Sequence, residues 1–309
     1  MVATRRLSEL ISATLPRLQF PEGPAVIALS GGADSATLGL LALEAGMKVA
    51  ALHVDHQLHA SPMMAKAALL VAECLGIPIE VRRVELARGP SPEEQARDAR
   101  YGAFADVDRP VLTGHTRDDD VETVMMNLIR GSGATGLAGI PAYRPPHIHR
   151  PMLSVSRDET REVAMLAGLP FADDPMNADL SLTRNRIRLE ILPLMRALNP
   201  RVDEAISRAA GALERDSGYL DDMAASLYQD PVPVSLLSTV PRVLADRVLR
   251  RLLEDCGVGP TSDRMERVWS VVAGDSDRQD LTGGKVVVRK GAVVVIETGT
   301  ASFPGPNAT

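Results

Sequence analysis

Hydrophobic and polar positions in the first half of the chain alternate between two periods. Ala25–Leu29 is a short unbroken apolar run, preceded by Pro24 and followed by Ser30-Gly31-Gly32. Such a run, with such boundaries, predicts a strand buried on both faces. The Ala- and Leu-rich stretch 35–46 predicts a helix. The alternation then repeats: strand Val49–Val54, helix 61–75, strand Ile77–Val84, helix 91–106 with Ser91 as cap and Glu94 three residues on, strand Val111–Gly114, helix 118–130. This rhythm predicts an α/β fold, a doubly wound parallel sheet. Residues 131–155, rich in Gly and Pro, read as a long loop, and 156–168 as a further helix.

From about residue 200 the pattern becomes amphipathic and helical, with Ala205, Ile206, Ala209, Ala210 and Leu213 at helical spacing. Lys285–Val288 and Ala292–Ile296 flank Arg289-Lys290-Gly291 and predict a β-hairpin. The expected organisation is a catalytic domain over 1–205 and a smaller, mostly helical domain over 206–309 that ends in this hairpin. The Gly/Pro/Ala/Thr tail after Thr298 is expected to fray.

Composition narrows the picture. Hydrophobic residues make up 45% of the 309, enough for a buried core, but aromatics only 3%. The core must be aliphatic, and base recognition by stacking on several aromatics is disfavoured. A net charge of −6 argues against general attraction to nucleic acid while leaving room for a local basic face. Cys74 and Cys256 are far apart and make neither a disulfide framework nor a Cys-x-x-Cys pair. Glu9, Pro16 and Arg17 interrupt the N-terminal segment, so neither a signal peptide nor a membrane span is expected, and the cytoplasm is the expected location.

In doubly wound sheets ligands sit at the carboxyl ends of strands. The polar clusters fall there: Ser30–Ser35 after the first strand, His53–His56 after the second, His115–Asp120 after the fourth. In the first cluster, Ser30-Gly31-Gly32-Ala33-Asp34-Ser35, two glycines allow a tight turn and the next helix offers unpaired N–H groups and a positive dipole end. With the hydroxyls of Ser30 and Ser35 this can cradle a pyrophosphate-sized anion. It is not a Walker A loop, since no Gly-Lys-Ser/Thr follows. The plain alternative is a strand-to-helix turn built from small residues.

Ser-Gly-Gly-x-Asp-Ser after a first parallel strand resembles the PP-loop of the N-type ATP pyrophosphatases. Further segments resemble one branch, the tRNA(Ile)-lysidine synthetases: His53-Val54-Asp55-His56-Gln57-Leu58, Ala96–Tyr101, Gly114–Thr123, Arg130–Gly133 with Gly136-Leu137, Arg150–Leu153, Asp174-Pro175 with Asn177, Arg184–Arg188 and Leu192-Pro193. The resemblance spans roughly residues 22–200. It implies that ATP adenylates the base carbonyl of the wobble cytidine in tRNA(Ile) with a CAU anticodon, and that the ε-amine of L-lysine then displaces AMP. ATP and Mg2+ are the implied cofactors. Thr116 and Asp120 depart from the family's His and Gln, and the short second half lacks the larger regions appended in some members.

Within that resemblance Ser30–Ser35 bind the nucleotide, and Asp34 holds the metal or positions the α-phosphate; its plain alternative is a helix cap. His115 approaches the nucleotide, or merely caps a turn. Asp119 and Glu122 share a helix face beside Asp118, suiting a cationic amine and its proton, although acids at a helix N-terminus are also favourable in themselves. Catalytic roles therefore fall to Asp34, His115, Asp119 and Glu122, and substrate contacts to Arg97, Arg100, Asp118, Arg184 and Arg188. Arg184, Arg186, Arg188, Arg196 and Arg201 form a basic stripe that could face tRNA. Replacing Asp34 or Glu122 by Ala is expected to abolish lysine transfer and leave the fold intact. The rival readings are another PP-loop tRNA-modifying adenylating enzyme, or a non-catalytic nucleotide- or RNA-binding module. The oligomeric state is left open, a homodimer being one arrangement.

Overall fold

The computed structural model describes residues 2–57, 61–84 and 92–298. The expected Ser91 cap and Leu58 lie outside them. The chain divides into two compact units, 1–214 and 215–309. The division falls nine residues beyond the expected 205/206, inside the long helix α10 described below.

The first unit opens with helix α1 (Val2–Thr14), whose Ile11 packs against the main core. Then follow β1 (Ala25–Ala28), α2 (Ala33–Glu44), β2 (Val49–Asp55), α3 (Ser61–Leu75), β3 (Ile79–Arg83), α4 (Pro92–Ala105), β4 (Val111–Thr113) and α5 (Arg117–Ile129). Each expected strand and helix is present, with ends shifted by a residue or two. The expected loop over 131–155 is more ordered: it holds α6 (Ala134–Leu137) and a small hairpin, β5 (Tyr143–Arg144) and β6 (Ile148–His149). Strands of two residues carry no periodic signal, which is why the sequence read as loop there. Helix α7 (Arg157–Leu166) is capped by Ser156, whose hydroxyl accepts from the Glu159 amide while the Glu159 carboxylate accepts the Ser156 N–H. Thr183–Leu198 is a near-continuous helix, α8 (Thr183–Arg186) and α9 (Leu192–Leu198) joined by one widened turn over Ile187–Ile191.

The sheet order is β3-β2-β1-β4-β6-β5, parallel except for the edge strand β5. One face carries α1, α2, α3 and α7, which bury Leu38, Leu41, Val71 and Ala164 against Ile27 and Ala51. Leu38 and Leu41 have no exposed surface; burying each contributes roughly 1.5–3 kcal/mol. On the other face Phe104 of α4 packs on Leu52 and Val111. With helices on both faces the sheet is doubly wound, and strand order reverses between β1 and β4. The crevice at their carboxyl ends is the topological switch point where such folds bind ligands.

The second unit follows in α10 (Val202–Leu227), which begins in the first. It contains β7 (Val232–Pro233), α11 (Val234–Thr239), α12 (Arg242–Asp255), α13 (Ser262–Ala273), β8 (Arg278–Asp280), β9 (Lys285–Lys290) and β10 (Val293–Thr298). The expected hairpin is β9–β10, extended by β7 and β8 into a four-stranded antiparallel sheet. Its core is aliphatic, with Val248, Leu249, Leu252, Val268 and Val287 at zero exposure. No helix among the described residues is long and apolar enough to cross a membrane.

Candidate active site

The loop leaving β1 is held open by its own serines. The Ser35 hydroxyl donates to the Gly32 carbonyl (3.0 Å) and accepts the Ser30 N–H (3.1 Å), and the two serine hydroxyls lie 3.0 Å apart. Gly31 has φ +93°, and a Cβ there would run into the Met64 carbonyl oxygen of α3, so both conformation and space demand glycine. Gly32 occupies the N-cap of α2 and no side chain caps it. The first amides of α2 are thus left for a ligand, as an anion cradle requires.

The chain leaving β4 meets this loop. A Cβ on Gly114 would lie 3.0 Å from the Ser35 amide nitrogen, so glycine lets the chain leaving β4 touch the first turn of α2. His115 follows, its Nδ1 2.9 Å from the Thr113 hydroxyl. Burial pushes its imidazole pKa down to about 3, and the charges of Arg150, Arg100 and Arg184 add to burial against Asp119. His115 is therefore neutral at physiological pH, able to offer or accept a hydrogen bond without bringing charge.

The acids at the start of α5 are fully engaged. One Asp119 oxygen accepts the Thr116 N–H and hydroxyl (2.8 and 2.9 Å), forming a helix cap. The other accepts from Arg157 (2.9 Å) and Arg184 (2.8 Å). Glu122, with no exposed surface, accepts from Arg157 Nη1 (3.1 Å), Arg184 Nε (2.7 Å) and Arg188 Nε and Nη2 (2.6 and 2.9 Å). Burial alone would raise the Glu122 carboxyl, but the Arg188 hydrogen bonds and the Arg184 and Arg157 charges hold it below its ordinary value. Asp119 is likewise depressed, its burial outweighed by Arg184 and Arg157. Asp118 accepts the Arg157 backbone N–H (2.9 Å) and a long bond from Arg196 (3.4 Å).

Asp34, in the first turn of α2, is placed differently. Its carboxylate accepts the Thr160 hydroxyl and lies 3.8 Å from Arg157 Nε, with about a quarter of the side chain exposed. Burial raises its pKa to about 6, a rise opposed by the Thr160 bond and assisted by the Asp119 charge. Among the described residues no group of three or more His, Cys, Asp or Glu could hold a metal. A single accessible carboxylate beside a phosphate cradle does fit Mg2+, which takes one or two protein carboxylates and completes its shell with phosphate and water.

The fold thus brings Ser30–Ser35, His115, Asp118, Asp119, Glu122, Arg184 and Arg188 to one crevice. Arg97 and Arg100 lie on α4 at its side and make no hydrogen bond or ion pair among the described residues. The basic stripe is divided: Arg184 and Arg188 turn inward onto Glu122 and Arg196 pairs with Asp203 (2.8 Å), whereas Arg186 stays exposed beside Glu190 (3.0 Å) and Arg201 is exposed with no ion pair among the described residues. Sequence reasoning missed Arg157, which bridges Asp34, Asp119 and Glu122. One signal was there. A cation at the first position of a helix opposes the helix dipole and calls for carboxylates from elsewhere. Thr160, the partner of Asp34, carries no comparable signal.

The family model for the PP-loop domain matches residues 2–195. Fold and crevice thus define an ATP-using PP-loop protein. Among relatives, tRNA(Ile)-lysidine synthase of Nocardia farcinica is 41% identical over 79% of this chain and 80% of its own length. That of Salinispora tropica is 35% identical over 91% and 93%. That of Thermus thermophilus is 35% identical over 93% of this chain but only 59% of its own length. The chain belongs to the tRNA(Ile)-lysidine synthase family of PP-loop proteins. A solved structure, the U34-tRNA thiolase NcsA of Methanococcus maripaludis with its 4Fe-4S cluster, superposes with a TM-score of 0.56 at 19% identity. It covers 69% of this chain and 79% of its own, a likeness of fold alone.

Proposed function

We propose that this protein ligates L-lysine to the wobble cytidine of tRNA(Ile) with a CAU anticodon, consuming ATP and releasing AMP and pyrophosphate. The supporting observation is the meeting of the phosphate cradle after β1 with the His115–Glu122 segment after β4, through Gly114 and Arg157. The cytidine carbonyl oxygen attacks the α-phosphorus and pyrophosphate leaves. The ε-amine then attacks the carbon bearing the new phosphoester, and AMP departs with the former carbonyl oxygen. Adenylation is needed because a pyrimidine oxygen is otherwise a poor leaving group.

Ser30–Ser35 and the open amides of α2 hold the phosphates. Asp34 would hold Mg2+, which neutralises charge on the departing pyrophosphate when bound. The neutral His115 faces the reacting oxygen as a hydrogen-bonding partner. Arg100 lies within charge range of Arg184 and Asp119, where it can meet the cytidine or its phosphate. Asp119 and Glu122 form the amine site. Arg157, Arg184 and Arg188 now stand where an ammonium would, so lysine enters by displacing a guanidinium, and the acids keep their charge balanced throughout. Its three substrates, tRNA, lysine and ATP, support a cytoplasmic location.

The decisive experiment incubates the protein with ATP, Mg2+, radiolabelled lysine and tRNA(Ile) bearing CAU. Labelled tRNA, with pyrophosphate release that needs both lysine and tRNA, is expected. Pyrophosphate release indifferent to lysine would point to another adenylating enzyme, and no release at all to a binding module.

A further inference from the structure

Among the described residues, one group of cations in the first unit has no carboxylate paired with it. Tyr101 of α4 is surrounded by three guanidiniums: Arg144 of β5 lies 4.0 Å from its ring centroid, Arg97 5.6 Å, and Arg150 Nη2 donates to its hydroxyl at 3.0 Å. None of the three forms an ion pair among the described residues, in contrast to Arg157, Arg184 and Arg188, which are all spent on acids. Arg150 is only 3% exposed, and its Nε is buried with no hydrogen-bond partner. Like charges gathered around one ring without acids are unfavourable by themselves, so the arrangement calls for an anion from outside. Arg97 and Arg144 are exposed and can reach one.

The surroundings say which anion. In the sheet order the phosphate cradle leaves β1, His115 leaves β4, and the β5–β6 hairpin forms the edge beyond. The cluster therefore lies on the side of His115 away from the triphosphate cradle. It is tied to His115 through Thr113, whose hydroxyl is 3.4 Å from the His149 carbonyl oxygen and 2.9 Å from His115 Nδ1. Beside it Tyr143, 47% exposed, packs on the His149 ring at 4.9 Å between centroids. In a chain with only 3% Phe, Trp and Tyr, an exposed tyrosine beside unpaired arginines is distinctive. Guanidiniums for the backbone and aromatic faces for the bases are the chemistry of single-stranded nucleic-acid binding.

We propose that the rim formed by α4 and the β5–β6 hairpin grips a single-stranded RNA loop, with Arg97 and Arg144 on its phosphodiesters and Tyr143 against a flanking base. This rests on the ligase reading above, and it places the RNA strand on the side of His115 opposite ATP. Arg150 acts as a positioning residue that fixes Tyr101 under the arginines.

The test measures fluorescence anisotropy of a labelled RNA stem-loop with a CAU-containing loop over a salt series, for wild type, R97Q, R144Q, the double variant and Y143A. The same strand annealed to its complement serves as a duplex control. Each arginine removed should flatten the plot of log affinity against log salt by about 0.7 for a single-stranded contact, and about twice that for the double variant. Y143A should weaken stem-loop binding without changing the slope. Should R144Q lower the melting temperature by disturbing Tyr101, R97Q alone carries the slope test. Wild-type binding with unchanged slopes in R97Q and the double variant overturns the proposal and leaves the ligase reading standing, as does equal loss on the duplex. A wild type that neither binds the stem-loop nor transfers lysine overturns both.

Discussion

Glu122→Gln isolates what the buried carboxylate does for the fold. The substitution keeps shape and removes one charge. Glu122 accepts four charge-assisted hydrogen bonds, two on each oxygen: Arg157 and Arg188 on one, Arg184 and Arg188 on the other. Whichever way a glutamine amide is turned, its NH2 faces two arginine N–H groups. Breaking a buried ion pair by removing one partner costs about 3–5 kcal/mol. The lower end applies here. The arginine side chains keep 26, 31 and 21% of their exposure, and Arg157 and Arg184 retain Asp119. A loss of about 3 kcal/mol in a unit of this size lowers the melting temperature by roughly 6–12 °C.

The pH dependence supplies an internal check. Because the folded carboxyl titrates below its ordinary 4.5, its stabilisation is fully present above that value and is lost as pH falls through the depressed folded pKa. Urea unfolding of both proteins at pH 7 and down to pH 4 should therefore show a gap that narrows on acidification. A gap under about 0.5 kcal/mol at pH 7, the range of an ordinary surface substitution, or one that widens in acid, would refute the reasoning. The same burial revises the expectation that Glu122→Ala leaves the fold intact: loss of lysine transfer in that variant must be read beside its stability.

Asp120 points the other way. It is 8% exposed, and burial raises its pKa to about 6 from 3.8 despite the Ile140 N–H it accepts. Its charge therefore destabilises the fold increasingly as pH rises from about 4 to 6. Asp120→Asn should stabilise the protein at pH 7 by about 1–3 kcal/mol and give no advantage at pH 4, as read from urea midpoints. Asp34, also raised to about 6, must be charged to hold a cation. Pyrophosphate release should fall as pH drops below about 6, and Asp34→Asn should lose most activity at every pH, in a coupled phosphate assay. Gly31→Ala forces both a positive φ and a clash with the Met64 carbonyl. A stability loss of at least about 1–3 kcal/mol is expected, with loss of ATP binding by fluorescent-nucleotide titration.

The fold was legible where periodicity is long enough to count. The four parallel strands from Ala25 to Thr113 and their helices carry whole turns or whole strands of pattern, and the polar clusters after β1 and β4 marked the switch point. The β5–β6 hairpin was not legible, because two residues per strand cannot establish a period. The stripe over 184–201 was read through its charges, and for Arg184, Arg188 and Arg196 charge alone did not give the direction. Five arginines against one acid looked like an outward face, since composition records the sign of a residue but not its direction. The direction was decided by Asp118, Asp119 and Glu122, more than sixty residues earlier. Arg188 lies within the widened turn at Ile187–Ile191 and Arg184 just before it, and both point at Glu122. Widened turns of this kind are frequent at functional sites. The arginines left for a partner are those with no acid in reach, and three of them, Arg97, Arg144 and Arg150, are separated by up to 53 positions and meet only around Tyr101. A basic stripe is thus a weak guide to a nucleic-acid face until each cation's carboxylate has been accounted for. In this chain that accounting leaves Arg201 of the 184–201 segment and adds the rim of α4 and the hairpin as an RNA contact.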